Sequence, residues 1–223
     1  MCPNLISVEV TGDGSPTLYR SDIDEHYHST HGALAESRHV FIDCGLLYRA
    51  SLTPERPLKV FEIGFGTGLN ALLTAITGIP VHYTTIEKYP LDTELKALTA
   101  YPAIADNKLF ENIHSAAWNK PAIITPTFML TKIHGDMTSK SIADKFDVIF
   151  LDAFSPEKQP ELWTEDMLSV YASLLNRQGV LTTYCAKGRI RRAFQSLGMK
   201  VERLDGPPGG KREILRASKQ AVD

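Results

Sequence analysis

Three glycines at alternate positions, Gly64, Gly66 and Gly68, follow the apolar run 60–63, in which Glu62 is the one charged residue. Such a run is typical of a buried parallel strand, and glycines let the backbone turn sharply and approach a ligand closely because they carry no Cβ. A helix predicted at 69–75 offers amide donors at its N-terminus to an anion. The carboxylate of Glu62, beside the loop, suits a ligand that carries an ammonium and a sulfonium. The pattern therefore predicts S-adenosylmethionine, although any glycine-rich turn between a strand and a helix has similar spacing. The loop residues predicted to hold this cofactor are Glu62, Gly64, Phe65, Gly66, Thr67, Gly68 and Asn70.

Acidic residues after two later strands fit the rest of the same cofactor. Glu87 ends the predicted strand 81–87, about twenty residues after the glycines, where a carboxylate accepts hydrogen bonds from ribose hydroxyls. Asp136 follows strand 128–134 and is predicted to accept a hydrogen bond from the adenine amino group, with Met137 packed on the ring. The alternatives are a surface glutamate at a strand end for Glu87 and a helix N-cap for Asp136.

The segment after the predicted strand 147–152 indicates the reaction. Asp152 ends that strand, Phe154 supplies an aromatic wall, and Pro156 and Pro160 stiffen the loop. Methyl transfer needs an acceptor held close to the sulfonium methyl and aligned with it, and a carboxylate beside aromatic side chains suits an amine on a flat base. Such a carboxylate binds an ammonium but also raises its pKa, so Asp152 is expected to orient the amine more than to deprotonate it. The alternative is a turn or N-cap residue.

The elements that must position these residues form an α/β pattern, because predicted strands and helices alternate after residue 57. With 223 residues, 43% of them hydrophobic, the chain is predicted to be one domain. Residues 1–57 form an N-terminal hairpin and lid extension, and residues 58–223 form a Rossmann-like core of the class I S-adenosylmethionine-dependent methyltransferase type. Its sheet is expected to be mostly parallel and seven-stranded, with an antiparallel last strand. Strands are predicted near 58–63, 81–87, 128–134, 147–152, 178–184, 200–204 and 213–217, and helices near 33–42, 68–76, 91–100, 104–115, 161–176 and 188–197.

Composition excludes several other classes of protein. No apolar run approaches the length of a membrane span, and the N-terminus lacks the basic and apolar regions of a signal peptide. The three cysteines, Cys2, Cys44 and Cys185, are far apart and form no CxxC motif, which indicates a reducing, cytoplasmic setting without structural zinc.

Charge is divided unevenly along the chain. Residues 1–186 carry 14 Lys and Arg against 22 Asp and Glu, whereas residues 187–219 carry 10 basic and 3 acidic residues. This asymmetry suggests a nucleic-acid face near the C-terminal strands, although a solvated flank that balances acidic surface elsewhere is the open alternative. The basic side chains predicted to contact a nucleic-acid backbone are Lys158, Lys187, Arg189 and Arg192.

The segment 22–31 brings three histidines close to three acids, residue types that bind zinc or iron. Methyl transfer to an amine needs no metal, so no metal site is predicted. The preferred interpretation is a lid that carries Tyr27 and His31 near the acceptor, and plain surface is the alternative.

Four stretches resemble one bacterial family: EIGFGTGLN at 62–70, LDAFSPEKQPELW at 151–163, GKRE at 210–213 and HGALAESRHVF at 31–41. They are similar to the methyltransferase domain of the bifunctional tRNA 5-methylaminomethyl-2-thiouridine biosynthesis protein, over nearly the whole chain. The resemblance implies conversion of 5-aminomethyluridine, often 2-thiolated, at the tRNA wobble position into 5-methylaminomethyluridine, with Asp152 as the catalytic residue.

One departure from the family bears on the substrate. The bifunctional protein also carries a flavin-dependent oxidoreductase that makes the aminomethyl substrate, and this chain has no second glycine fingerprint. It therefore resembles a stand-alone form, whose precursor is expected from a separate flavin-dependent oxidoreductase. The resemblance implies tRNA as partner, and no membrane partner is expected.

Two other functions stay open at this stage. An aminopropyltransferase also places an aspartate beside an amine, but such enzymes usually have a Gly-Gly-Asp-Gly-Gly-like loop, whereas Phe65 and Thr67 stand between the glycines here. The second is a tRNA-binding protein that keeps the cofactor fold but does not turn over a substrate. The acidic residues predicted for the site argue against such a loss of activity.

Overall fold

The structure is a computed structural model that describes residues 5–52, 56–92, 101 and 104–220. A small antiparallel sheet comes first, formed by β1 (Ile6–Val10), β2 (Pro16–Arg20) and β3 (Glu25–His26). Helix α1 (Ala33–Ser37) follows, continues into a π-helical segment (Arg38–Leu47), and ends as α2 (Tyr48–Leu52). The predicted N-terminal hairpin is confirmed by the antiparallel pairing of β1 with β2.

Eight strands form the main sheet within the described residues, in the order β10-β11-β9-β8-β4-β5-β7-β6. The four pairings among β9, β8, β4, β5 and β7 are parallel, whereas β6, β10 and β11 pair antiparallel. The strands are β4 (Leu58–Ile63), β5 (Val81–Glu87), β6 (Pro121–Thr125), β7 (Phe128–His134), β8 (Phe146–Leu151), β9 (Leu175–Thr183), β10 (Lys200–Asp205) and β11 (Glu213–Ser218).

Helices cover both faces of this sheet, which leaves β8 buried along its whole length. Side chains alternate between the faces of a strand: Val148 and Phe150 pack into one apolar cluster, and Ile149 and Leu151 into the other. The first cluster takes in the π-helical segment, α3 (Leu69–Ile76) and α4 (Asn107–Ser115). The second takes in the 3₁₀ turn Pro160–Trp163, α5 (Glu165–Leu174) and α6 (Gly188–Ser196).

The predicted fold class is confirmed, and the strand count is corrected from seven to eight. The additional strand is β6, a five-residue edge strand that begins at Pro121 and whose Ile123 is 81% exposed, so its short apolar run is a weak strand signal. The helix predicted at 33–42 extends to Leu52, and the one predicted at 161–176 divides into the 3₁₀ turn and α5, because Thr164 caps the helix by accepting a hydrogen bond from Met167 N. Most of the predicted helix 91–100 lies outside the described residues. None of the helices in the described ranges has the length and apolar character needed to cross a membrane.

Candidate active site

A cavity of about 650 Å³ opens at the carboxyl ends of β4, β5 and β8. This is the edge at which parallel α/β sheets bind ligands, and the volume lies within the range of small-molecule sites. The glycine loop, the end of β5, the loop after β8, the N-terminal sheet and the C-terminal residues 210–211 all contribute to its wall.

The glycine loop has the backbone geometry that its sequence predicts. Gly64, Gly66 and Gly68 all have positive φ, at 92°, 50° and 74°, which is a region that residues with a Cβ rarely occupy. A Cβ on Gly64 would lie 2.6 Å from Asp152 O, and one on Gly66 would lie 3.1 Å from Tyr27 Cδ1. The loop therefore passes close to both the Asp152 loop and Tyr27, and it can do so only because these positions are glycines.

Glu87 is tied to the glycine loop. Its Oε2 accepts a hydrogen bond from Gly66 N at 3.1 Å, and its Oε1 accepts one from Tyr89 N at 2.8 Å. The side chain lines the cavity at the end of β5, so the carboxylate stands beside the loop where a ribose would lie. Its predicted contact with ribose hydroxyls stays a prediction.

Asp136 and Met137 line the same side of the cavity. Asp136 Oδ1 accepts hydrogen bonds from Thr138 N and Thr138 Oγ1, and Oδ2 forms a 2.9 Å ion pair with Lys88. Hydrogen bonding to Lys88 lowers the pKa of Asp136 to about 2. Asp136 thus stabilises a turn and not a helix N-terminus, which was its predicted alternative, and contact with an adenine amino group remains a prediction. Met137 is 5% exposed and offers an apolar surface.

Asp152 lies at the carboxyl end of β8, and its Oδ2 accepts a 2.7 Å hydrogen bond from Asn70 Nδ2. The same Nδ2 donates to Glu62 Oε1 at 3.0 Å, so one amide group bridges two carboxyl groups. Burial raises the pKa of Asp152 to about 7, with a further contribution from Glu36. A carboxyl group with this pKa exchanges its proton near neutral pH, as a general base requires.

Glu62 lies beneath the glycine loop and is 1% exposed. Burial, with the nearby charge of Asp152, raises its pKa well above the usual range for a glutamate. Neither Glu62 nor Gly68 lines the cavity, whereas Asn70 does. Glu62 therefore reaches the site through Asn70, and its predicted direct contact with the cofactor stays a prediction.

Phe65 and Thr67 line the cavity but are also held by neighbours behind the loop. The ring of Phe65 packs edge-on against Trp118 at 5.9 Å and lies 5.5 Å from the ammonium of buried Lys132. Thr67 Oγ1 lies within hydrogen-bonding distance of Tyr101 OH, at 3.2 Å. Both residues fix the shape of the loop.

Residues in and just after the N-terminal sheet line one side of the cavity, and their function as a lid stays a prediction. The ring of Tyr27 packs edge-on against Phe154 at 5.1 Å, and burial raises the pKa of Tyr27 to about 12. Glu25 fastens this sheet to the loop after Asp152, because its two carboxylate oxygens accept hydrogen bonds from Ser155 N and Ser155 Oγ. Two aromatic rings thus flank the approach to Asp152.

The remaining predicted substrate residues divide into two groups. His31 and Lys158 line the cavity, and Lys158 lies 3.8 Å from Asp24. Lys187, Arg189 and Arg192 are exposed outside the cavity wall, on or just before α6. Lys187 forms an ion pair with Glu157 of the Asp152 loop, so this basic surface adjoins the mouth of the cavity.

The acidic and histidine residues of segment 22–31 do not converge. Asp22 pairs with Arg20, His26 lies 2.9 Å from Glu9, and His28 lies between Thr17 and Thr67. Burial lowers the pKa of His28 to about 4. No three His, Cys, Asp or Glu side chains in the described parts of the chain are grouped as a metal site would need.

Three cavity residues, Glu36, Tyr184 and Lys211, had no role in the sequence-based prediction. Lys211 Nζ lies 3.5 Å from the centroid of the Tyr184 ring and 4.0 Å from Glu36 Oε1. Glu36 and Lys211 belong to two of the stretches that carry the family resemblance, HGALAESRHVF and GKRE, and this is the one signal in the sequence that pointed to them.

Comparison with known proteins identifies the family to which the chain belongs. A sequence profile described as S-adenosyl-L-methionine-dependent methyltransferase matches residues 108–220, which is just over half of the chain. The chain belongs to this family. The cofactor and the methyltransferase class predicted from the glycine loop and the Asp152 segment are therefore confirmed.

Individual relatives agree with the resemblance found in the sequence. The chain is 31% identical over 233 residues to the tRNA 5-methylaminomethyl-2-thiouridine biosynthesis bifunctional protein MnmC of Pseudomonas fluorescens, a match that covers 97% of this chain and 35% of that protein. The chain thus spans about a third of the length of this relative.

Two solved structures share the fold. MNMC2 from Aquifex aeolicus superposes with a TM-score of 0.76 at 24% identity, over 98% of this chain and 73% of that one. Spermidine synthase from Thermotoga maritima superposes with a TM-score of 0.60 at 16% identity, over 98% and 70% of the two chains. Both likenesses extend over the N-terminal sheet as well as the core.

Proposed function

We propose that this methyltransferase transfers a methyl group to the amine of 5-aminomethyluridine, with or without 2-thiolation, at the wobble position of tRNA. The observation that carries the proposal is Asp152, a carboxyl group with a pKa of about 7 at the end of a cavity flanked by the rings of Tyr27 and Phe154. The identity to MnmC of Pseudomonas fluorescens, whose name gives the modified base, supports the same substrate.

The cavity residues fit the cofactor. S-adenosylmethionine supplies an electrophilic sulfonium methyl group when it is bound. The glycine loop and Asn70 would hold its methionine part, with Glu62 behind Asn70, and Glu87 would accept hydrogen bonds from its ribose. Met137 offers the apolar surface for the adenine ring, beside Asp136.

Asp152 then acts on the acceptor amine. An alkylamine with a pKa near 10.4 is almost wholly protonated at pH 7, and its nitrogen must lose a proton to become a nucleophile. The sequence predicted that Asp152 mainly orients the amine; because burial has raised its pKa to about 7, its carboxylate would also accept that proton more readily than an ordinary aspartate. The rings of Tyr27 and Phe154 would shield the bound amine from water, and this desolvation would lower the pKa of the amine toward that of the carboxyl group.

Binding of tRNA would use the rim of the cavity. Arg189 and Arg192 are three residues apart on α6 and exposed, so they present two cations on one face to a phosphate backbone. Lys158 and His31 lie closer to the base, in the cavity wall. The aminomethyl precursor would come from a separate flavin-dependent oxidoreductase, and both enzymes would work on tRNA in the cytoplasm.

The test uses tRNA from cells that lack this methyl transfer, incubated with purified protein and S-adenosylmethionine and digested to nucleosides for mass spectrometry. The proposal predicts conversion of 5-aminomethyluridine to its N-methyl form by the wild-type protein and none by the Asp152→Ala variant. Decarboxylated S-adenosylmethionine serves as the parallel donor, since an aminopropyltransferase would use it and leave a heavier product. No change in any uridine, while S-adenosylmethionine still binds, would refute the wobble-base assignment.

A further inference from the structure

One end of the cavity carries a charged pair to which the proposed methyl transfer assigns no direct contact with the substrate. Glu36 on α1 and Lys211 after β10 meet there, with Lys211 Nζ above the ring of Tyr184. Tyr184 OH donates a 2.7 Å hydrogen bond to Ala153 O, the carbonyl directly after Asp152. The pair is therefore anchored to the loop that carries the proposed catalytic group.

Glu36 is a buried hydrogen-bond acceptor that the neighbouring backbone holds in place. Its side chain is 10% exposed, and its Oε2 accepts a 2.8 Å hydrogen bond from Ser29 N in the lid segment. Its Oε1 has no hydrogen-bond partner in the described parts of the chain, because Lys211 Nζ at 4.0 Å is too distant for a hydrogen bond. A buried carboxylate oxygen without a donor is costly, and Glu36 is one of the residues that line the cavity.

The ammonium group of Lys211 has N–H donors available for a ligand. An ammonium group has three N–H bonds and no acceptor, and no hydrogen bond from Lys211 Nζ is formed within residues 5–52, 56–92, 101 and 104–220. The side chain is 46% exposed on the cavity side of Tyr184, whose ring holds the ammonium by a cation–π contact. Donor and acceptor thus stand side by side, with a gap between them.

A base edge that carries one donor next to one acceptor fits this gap. Uracil presents N3–H and O4 on adjacent ring atoms, and cytosine presents the reverse, an acceptor at N3 and an amino donor at C4. We propose that Glu36 and Lys211 bind the N3–H and O4 of the acceptor uracil and so select uracil over cytosine, an inference that rests on the proposed function. Because C5 adjoins C4, an O4 held by Lys211 directs the 5-aminomethyl group toward Asp152.

This arrangement has a structural consequence for the tRNA. The N3–O4 edge is the pairing edge, so the wobble base must be unpaired and turned out of its stack to reach the pair. Enzymes that modify a base read the turned-out base by this edge and stack it between aromatic or apolar side chains. Tyr27, Phe154 and Tyr184 supply such rings around the cavity.

The test uses three anticodon stem–loops that differ at the wobble position: 5-aminomethyluridine, 3-methyl-5-aminomethyluridine and 5-aminomethylcytidine. Binding without cofactor and kcat/KM with S-adenosylmethionine are measured for wild type, Glu36→Met, Lys211→Met and the exposed control Lys200→Met. Methionine is chosen at position 36 because the amide oxygen of a glutamine would still accept a hydrogen bond from N3–H. Loss of a hydrogen bond to a charged group corresponds to about 10- to 100-fold. We expect the wild type and Lys200→Met to lose that factor on the 3-methyl and cytidine substrates, and both cavity variants to lose it on 5-aminomethyluridine.

The decisive comparison pairs the variant with the altered base. Glu36→Met should discriminate little between 5-aminomethyluridine and its 3-methyl form, because the contact that N3-methylation removes is already absent. Equal use of all three substrates by the wild type would overturn the inference while leaving the proposed function intact. If Glu36→Met lost the same factor relative to wild type on the N3–H and the N3-methyl substrate, Glu36 would have a purely structural role and the inference would be overturned. No methylation of any substrate by the wild type would refute the proposed function itself.

Discussion

Replacing Asp152 with asparagine is expected to abolish methyl transfer and, at the same time, to stabilise the protein. The reason is the environment of the carboxyl group. Burial raises the pKa of Asp152 from 3.8 to about 7, so the folded protein holds a proton there that the unfolded chain has already released between about pH 4 and pH 7. Wild-type stability therefore falls as the pH rises through this window, and an uncharged amide removes that loss.

The size of the effect follows from the same shift. About 3 pKa units at 1.36 kcal/mol each set an upper limit of roughly 4 kcal/mol at pH 8. Water in the cavity screens part of this cost, and we expect about 2 kcal/mol, or a Tm increase of about 4–8 °C for a domain of this size. At pH 4 the two proteins should melt within about 1 °C of each other, because the folded wild type is then neutral at this position.

The assay is thermal unfolding by circular dichroism at pH 4, 6 and 8, together with methyl transfer at each pH that supports it. Loss of a positioned acid or base typically costs 10²- to 10⁴-fold in rate. Asp147→Asn is the matched control on the same strand: Asp147 is fully buried, and hydrogen bonds from Arg56 hold its pKa below the usual value in spite of burial. That variant should lower the free energy of unfolding by about 3–5 kcal/mol. A decrease in Tm for Asp152→Asn, or a change that is the same at every pH, would refute the reasoning.

Three further variants probe the loop, the amide bridge and the basic rim. Asn70→Ala removes the hydrogen bond that lowers the pKa of Asp152, so the acidic limb of the pH profile of kcat/KM should move above pH 7; an unmoved limb would contradict the bridge. Gly64→Ala should destabilise the protein by about 1–3 kcal/mol and weaken S-adenosylmethionine binding in calorimetry, whereas Gly78→Ala, with a similar φ but open space around it, should leave that binding unchanged. Arg192→Ala should weaken tRNA binding and reduce the slope of log K against log salt by about 1, and an unchanged slope would remove Arg192 from the interface.

Burial decided which parts of the fold could be predicted from the sequence. The strands β4 and β8 are buried on both faces, and their apolar runs predicted them to within a residue. The edge strand β6 has only five residues, begins at a proline and exposes Ile123, and its short apolar run alone does not distinguish a strand from other structure. Edge strands of this kind are defined by their partner, here β7, which a local pattern does not contain.

The residues of the candidate site also differ in whether a local sequence pattern could predict them. Glu87 and Asp152 were predictable because each stands directly after a strand, at the edge where parallel sheets bind ligands. Glu36 and Lys211 come from a helix before the sheet and a loop near the end of the chain, 175 positions apart in sequence. Their contact depends on how the N-terminal segment and the C-terminal strands pack beside the cavity, and no local spacing records it.

The most direct test of the proposed function is single-turnover methyl transfer to a synthetic anticodon stem–loop with 5-aminomethyluridine at the wobble position. The product is digested and sequenced by mass spectrometry, and a stem–loop with unmodified uridine serves as the control. The proposed function predicts one methyl group on the amine nitrogen of that nucleotide, none on the control and none with Asp152→Asn. A methyl group on a ring atom, on another nucleotide or on the unmodified control would contradict it.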